Sequence, residues 1–159
     1  MKTELIGLLL IGILVISGCA GKEGDSGGQA AAGRMENSLP TVSGWTMTKI
    51  DVESPNGFQV LRGAYEKGGD IVVLSLVSGQ SENVVKNQAL SMAHEVVNEP
   101  KEATEGLVEQ FVAKYILDDK FHVIYANSGK IGFVAVAESY DSLTSLLSTA
   151  YGNVLFEVQ

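Results

Sequence analysis

His94, Glu95 and Asn98 stand at the spacing where a zinc-protease helix carries two histidines one turn apart around a water-activating glutamate. Asn98 fills the second ligand position, so only one imidazole of that pair is present. The other histidine, His122, lies in a strand-like run, and a three-ligand site would have to be assembled from distant groups. His94 is therefore expected to be a solvated helical side chain. Were a metal bound, His94, Glu95 and His122 would be the first place to look. Ser128-Gly129-Lys130 ends like a phosphate loop, but the first glycine of that motif falls on Ile124 and Ile131 follows the lysine, so a hairpin turn is expected. No Gly-x-Ser-x-Gly elbow accompanies the histidines. Asp118-Asp119 and the Glu102/Glu105 pair lack calcium-loop spacing and are expected to be solvated charges. These residues assign no catalytic group, metal ligand or cofactor.

Cys19 is the only cysteine, which excludes an internal disulfide or a thiolate metal cluster within one chain. Residues 5–16 form a twelve-residue apolar run broken only by Gly7 and Gly12, preceded by Lys2 and followed by Ser17 and Gly18. That is the anatomy of a signal peptide. At about 1.5 Å per residue such a helix covers roughly half of a ~30 Å hydrocarbon layer, which disfavours a permanent span. Ile16-Ser17-Gly18-Cys19 resembles a lipobox, the motif of prokaryotic membrane lipoprotein precursors; it departs from the commoner form in having Ile16 where Leu is usual, and Glu4 offsets Lys2 ahead of it. The resemblance covers about the first nineteen residues. It implies that Ile16, Ser17 and Gly18 are read by a lipoprotein signal peptidase, that the Cys19 sulfur carries a diacylglyceryl group, and that cleavage frees the Cys19 amine. Two acyl chains hold a protein far more firmly than one.

Residues 20–38 contain five glycines among small and charged neighbours, with neither strand alternation nor a helical stripe. They read as a tether with a mean reach of roughly 25 Å. The expected organisation is a signal peptide over residues 1–18, the lipidated cysteine and tether over 19–38, and a soluble domain over 39–159 opening at Leu39-Pro40 and Gly44-Trp45. This opening, followed by a Tyr-containing hairpin, resembles that of small prokaryotic lipoproteins, and the likeness implies no activity.

Within the domain, residues 45–52 and 58–65 flank Ser54-Pro55-Asn56-Gly57, a hairpin signal, and Lys67-Gly68-Gly69-Asp70 turns into the Val/Ile/Leu run 71–77. Ser81 is placed to cap a helix bearing Val85, Ala89, Ala93 and Val96, ended by Pro100. Residues 121–125 and 131–137 form a second hairpin. Asp141 then caps a short helix carrying Leu143, Leu146, Leu147 and Ala150, stopped by Gly152, with Val154, Phe156 and Val158 alternating after it as an edge strand. Residues 107–117 fit both periods: Leu107, Phe111, Ala113, Tyr115 and Leu117 share a strand face, while Leu107, Val108, Phe111, Val112, Tyr115 and Ile116 form a helical stripe. The strand is favoured because Asp118-Asp119-Lys120 turns compactly into Phe121. The expected fold is α+β, two successive βββα units forming an antiparallel sheet with both helices on one face.

The formal charge is −8, and the first eighteen residues contribute only Lys2 and Glu4, so the acidity belongs to the exported part. Such a surface repels nucleic acid and anionic lipid, and the aromatics lack the interleaved basic residues of a nucleic-acid platform. Membrane contact is expected through lipid on Cys19, with the domain on the extracytoplasmic side of a cell membrane or envelope, contacting another envelope protein without catalysis. A small envelope hydrolase or a small-molecule-binding lipoprotein is the alternative.

Overall fold

The computed structural model describes residues 38–53, 57–97, 102–118 and 120–157. Three strands come first, β1 (Thr46–Glu53), β2 (Phe58–Lys67) and β3 (Asp70–Gly79), paired antiparallel in sequence order. Lys67 faces Asp70 across the turn Gly68-Gly69. Helix α1 (Glu82–Val96) follows; the Ser81 hydroxyl accepts from the Val84 N–H, 3.4 Å away, and Val85, Ala89, Met92 and Ala93 form its buried stripe. Next come β4 (Thr104–Val108), β5 (Phe111–Leu117), β6 (His122–Ser128) and β7 (Ile131–Ala137), then α2 (Tyr140–Tyr151) and β8 (Val154–Phe156). All eight strands join one antiparallel sheet in the order β1-β2-β3-β7-β6-β5-β4-β8. Among the described residues no helix is long and apolar enough to cross a membrane.

The α+β class and the antiparallel sheet agree with the sequence reading, but the helices do not share a face. On β3, Val72, Leu74 and Leu76 pack with Leu143, Leu146 and Leu147 of α2, while Val73 and Val77 pack with Val85 and Ala89 of α1. β7 divides likewise, with Phe133 and Ala135 toward α2 and Val134 and Val136 toward α1. Successive strand side chains point to opposite faces, so two helices drawing on alternate residues of one strand must lie on opposite sides. Burial on both faces also explains why β3 and β7 read as nearly continuous apolar runs.

Nor is the second unit a simple βββα. Residues 107–117 are not one strand: Val108 pairs with Phe111, making Glu109-Gln110 a two-residue turn between β4 and β5. Glu109 has φ 52, unusual for a side chain without a local bond to hold it there. Its partners come from the other end of the domain. The Glu109 N–H donates to the Asn153 carbonyl at 2.5 Å, and the Asn153 N–H donates to Glu109 Oε2 at 3.1 Å. The expected cap of α2 also moves. Ser139, with extended backbone, presents its hydroxyl to the Ser142 N–H, whereas Asp141 lies within the first turn and complements the helix dipole instead. β8 does form an edge strand, beside β4. The expected turn at 54–56, Pro100, Asp119 and Val158 lie outside the described residues.

Ahead of β1, the chain packs on the α2 side of the sheet. Val42 is buried in that core, Leu39 touches it, and the buried Tyr65 hydroxyl donates to the Pro40 carbonyl at 2.7 Å. Burial pushes the Tyr65 phenol well above its ordinary range.

Candidate functional site

Ile16, Ser17, Gly18 and Cys19, with most of the tether, lie outside the described residues. The two histidines do not converge. His94 is half-buried on α1, whereas His122 alternates on β6 with Ile124 and Ala126, whose side chains face α2 on the other side of the sheet. No single ion could be held by His94, Glu95 and His122 together. Among the described residues, no three His, Cys, Asp or Glu side chains gather as a metal requires.

His122 nonetheless has defined surroundings that the sequence did not indicate. Its Nδ1 lies 2.8 Å from the Tyr115 hydroxyl, and the two rings stack with centroids 6.1 Å apart. Tyr140, from the first turn of α2, sits edge-on to Tyr115 at 5.4 Å and tilted against His122 at 5.9 Å. Burial holds the imidazole below its usual range, opposed by the carboxylate of Asp141, and pushes the Tyr115 phenol up. Rings this close fill the space between them. The cluster joins a phenol to an imidazole by one hydrogen bond and braces α2 against β5 and β6, with the Tyr140 ring and the Asp141 carboxylate at its edge.

Among the acidic residues Glu102 and Glu105 are exposed as expected, and Asp118 is not. Asp118 is buried rather than solvated, at the turn where its N–H donates to the Phe121 carbonyl. Glu105 is exposed but paired, 2.6 Å from Lys114 Nζ, and that bond holds its carboxyl below the usual range. Ser128-Gly129-Lys130 forms the β6–β7 turn as expected, since Ser128 pairs with Ile131. On the α1 side, Arg62 Nε donates to the buried Ser75 hydroxyl at 3.0 Å; burial lowers the pKa of its guanidinium, with the Glu95 carboxylate opposing.

A surface the sequence reading missed lies across β8, β4 and β5. Leu155 faces Leu107, and Leu107 faces Val112, in direct register. Their neighbours Val154, Phe156, Val108 and Phe111 point into the α2 core, so this row points the other way. On that side α1 lies over β3, β7 and β6 and stops short of the row. The three side chains remain 62%, 40% and 58% exposed in strand order, and the Glu105–Lys114 pair lies beside them on the same face. Single exposed aliphatics are ordinary; these three, in register on an uncovered sheet face, form one contiguous apolar strip. A signal for it existed. With Glu109-Gln110 taken as a turn, Val108 and Phe111 fall on one face and Leu107 and Val112 on the other.

Compared with family models, with curated proteins and with solved structures, the chain finds no match in any of the three.

Proposed function

We propose that this chain is a lipid-anchored envelope protein, held by a diacylglyceryl thioether on Cys19, whose folded domain serves on the extracytoplasmic side as a non-catalytic binding module. The anchor rests on Ile16-Ser17-Gly18-Cys19 behind the short apolar run. The binding role rests on one observation: the exposed row Leu155, Leu107 and Val112, which an isolated domain would do better to cover. The segment at Leu39 and Pro40, pinned to the sheet, supports the same reading by giving a tether a fixed departure point.

Mass spectrometry of the mature N-terminus with membrane fractionation tests the anchor. The expected result is a diacylated Cys19 at the N-terminus of a membrane-bound chain, and loss of lipid in Cys19→Ser, leaving the chain uncleaved or released. An unmodified Cys19, or a mature N-terminus at another residue, would overturn the lipoprotein reading. Cross-linking in intact membranes tests the binding role, and a chain that never links to another polypeptide would count against it.

A further inference from the structure

We propose that Arg62 is the recognition group of a carboxylate-binding site on the α1 side of the sheet, separate from the strip on β8, β4 and β5 and independent of the anchor.

The site follows from where α1 stops. That helix lies over β3, β7 and β6, which leaves the same face of β2 and β1 beyond its other flank. Arg62 stands at that boundary. It comes two positions after Val60, which packs toward α1, so its side chain leaves β2 on the same face. In register it lies between Ser75 on β3 and Ile50 on β1. The buried Ser75 hydroxyl accepts from Arg62 Nε at 3.0 Å and so fixes the plane of the guanidinium.

The rest of the fork is unused. A guanidinium is a planar array of N–H donors, and Nε contributes only the bond to Ser75. Among the described residues no hydrogen bond or ion pair engages the two terminal nitrogens. The side chain is half-buried, and a charge in that position is costly to leave unmatched; burial accordingly lowers the guanidinium pKa, yet arginine keeps its proton in proteins. The Glu95 carboxylate on α1 acts on it through space without closing an ion pair. An anchored, partly desolvated fork with open N–H groups matches an acceptor that offers two oxygens in one plane.

Charge selects among such acceptors. Glu95 and the overall −8 oppose a second negative charge on the ligand, which favours a carboxylate over a phosphate. The neighbours set the rest. Ile50 and Ala64 are half-buried and Thr48 is exposed, and their register places all three beside Arg62 on the same face. They give an uncharged, largely apolar floor of short side chains. The ligand is therefore a carboxylate on a short apolar body, either a small organic acid or the C-terminal residue of a polypeptide.

The test is NMR of the full chain in detergent micelles, following the Arg62 Nε–H and the Ser75 amide at constant pH and ionic strength. Arg34, the only other arginine, serves as the internal control. The probes are butyrate, a short peptide ending in valine with a free carboxylate, the same peptide amidated, and inorganic phosphate. Butyrate or the free-acid peptide should shift both resonances saturably, and the amidated peptide should not. Saturation by butyrate assigns a small organic acid, and saturation by the peptide alone assigns a polypeptide terminus. Arg62→Lys keeps the charge but loses the fork, and should weaken binding at the Ser75 amide by about tenfold or more. Glu95→Gln, at an exposed position, should tighten it by about two- to threefold by removing the opposing charge. The proposal is overturned by no saturable shift in the folded chain, by an equal response to the amidated peptide, or by tighter binding of phosphate than of either carboxylate. Affinity unchanged in a folded Arg62→Lys chain, or not improved by Glu95→Gln, overturns it as well.

Discussion

Glu109 holds a left-handed backbone angle that glycine or asparagine would adopt more easily, and does so because both its N–H and its carboxylate are engaged by the backbone at Asn153. Removing the carboxylate while keeping the angle should be the worst case. Glu109→Ala is expected to destabilise the fold by about 1–3 kcal/mol through the lost charge-assisted bond, the backbone strain remaining as it is in the native chain. Glu109→Gly loses the same bond but relaxes the angle, so its loss should be smaller; urea denaturation midpoints decide, and equal losses would remove strain from the account. His122 supplies a pH prediction. Burial holds its folded-state pKa below the ordinary 6.5, so the unfolded chain takes up the proton first. Its contribution to stability is therefore complete above that value and is lost as the pH falls through the window beneath it. The melting temperature should drop on acidification from about pH 7 to about pH 5, and His122→Gln should flatten that stretch. Glu105, held below its ordinary 4.5 by Lys114, acts only at lower pH, which keeps the two separable.

At the scale of elements, β8 is the most precarious strand, three residues paired only with β4. Its position depends on Gly106, where an added Cβ would run into the Phe156 ring and the Leu155 carbonyl. Gly106→Ala should cost about 1–3 kcal/mol by overpacking and should release β8 first, seen as faster amide exchange at residues 154–156 with β6 and β7 still protected. Uniform loss of protection would argue against this local mechanism. The first meander, the α1 stripe and the 121–137 hairpin were legible because their turns carry glycine and their apolar periods are unmixed. The β4–β5 turn was not, since Glu109-Gln110 has no turn chemistry of its own and takes its geometry from residues more than forty positions away. The helix faces were only half legible: a stripe shows which side of a helix is buried, but not which side of the sheet buries it. The same missed turn concealed the row Leu155, Leu107 and Val112, and the Tyr115–His122–Tyr140 cluster was hidden because its members come from three elements.

For the molecule as a whole, the segment before β1 belongs to the fold, as Val42 is buried and Tyr65 depends on Pro40 for its hydroxyl partner. A chain shortened to residues 39–159 should unfold in one cooperative transition. Removing residues 39–44 as well should lower stability by about 2–4 kcal/mol, from the lost burial of Val42 and an orphaned phenol. Calorimetry of the two chains checks this, and unchanged stability would show the segment to be merely draped on the sheet. The junction of β3 with β7 has a consequence in time. Val73 and Val136 face each other across it, yet α1, β4, β5 and β6 are all threaded between them. Sheets that depend on such distant pairings fold slowly, over about milliseconds to seconds, because loop-closure entropy must be overcome before the contacts form. Until β7 arrives, the edge of β3 is a bare valine- and leucine-rich template for any passing strand. For this strand the hazard of misassembly is thus confined to folding, and ends once β7 has closed the gap.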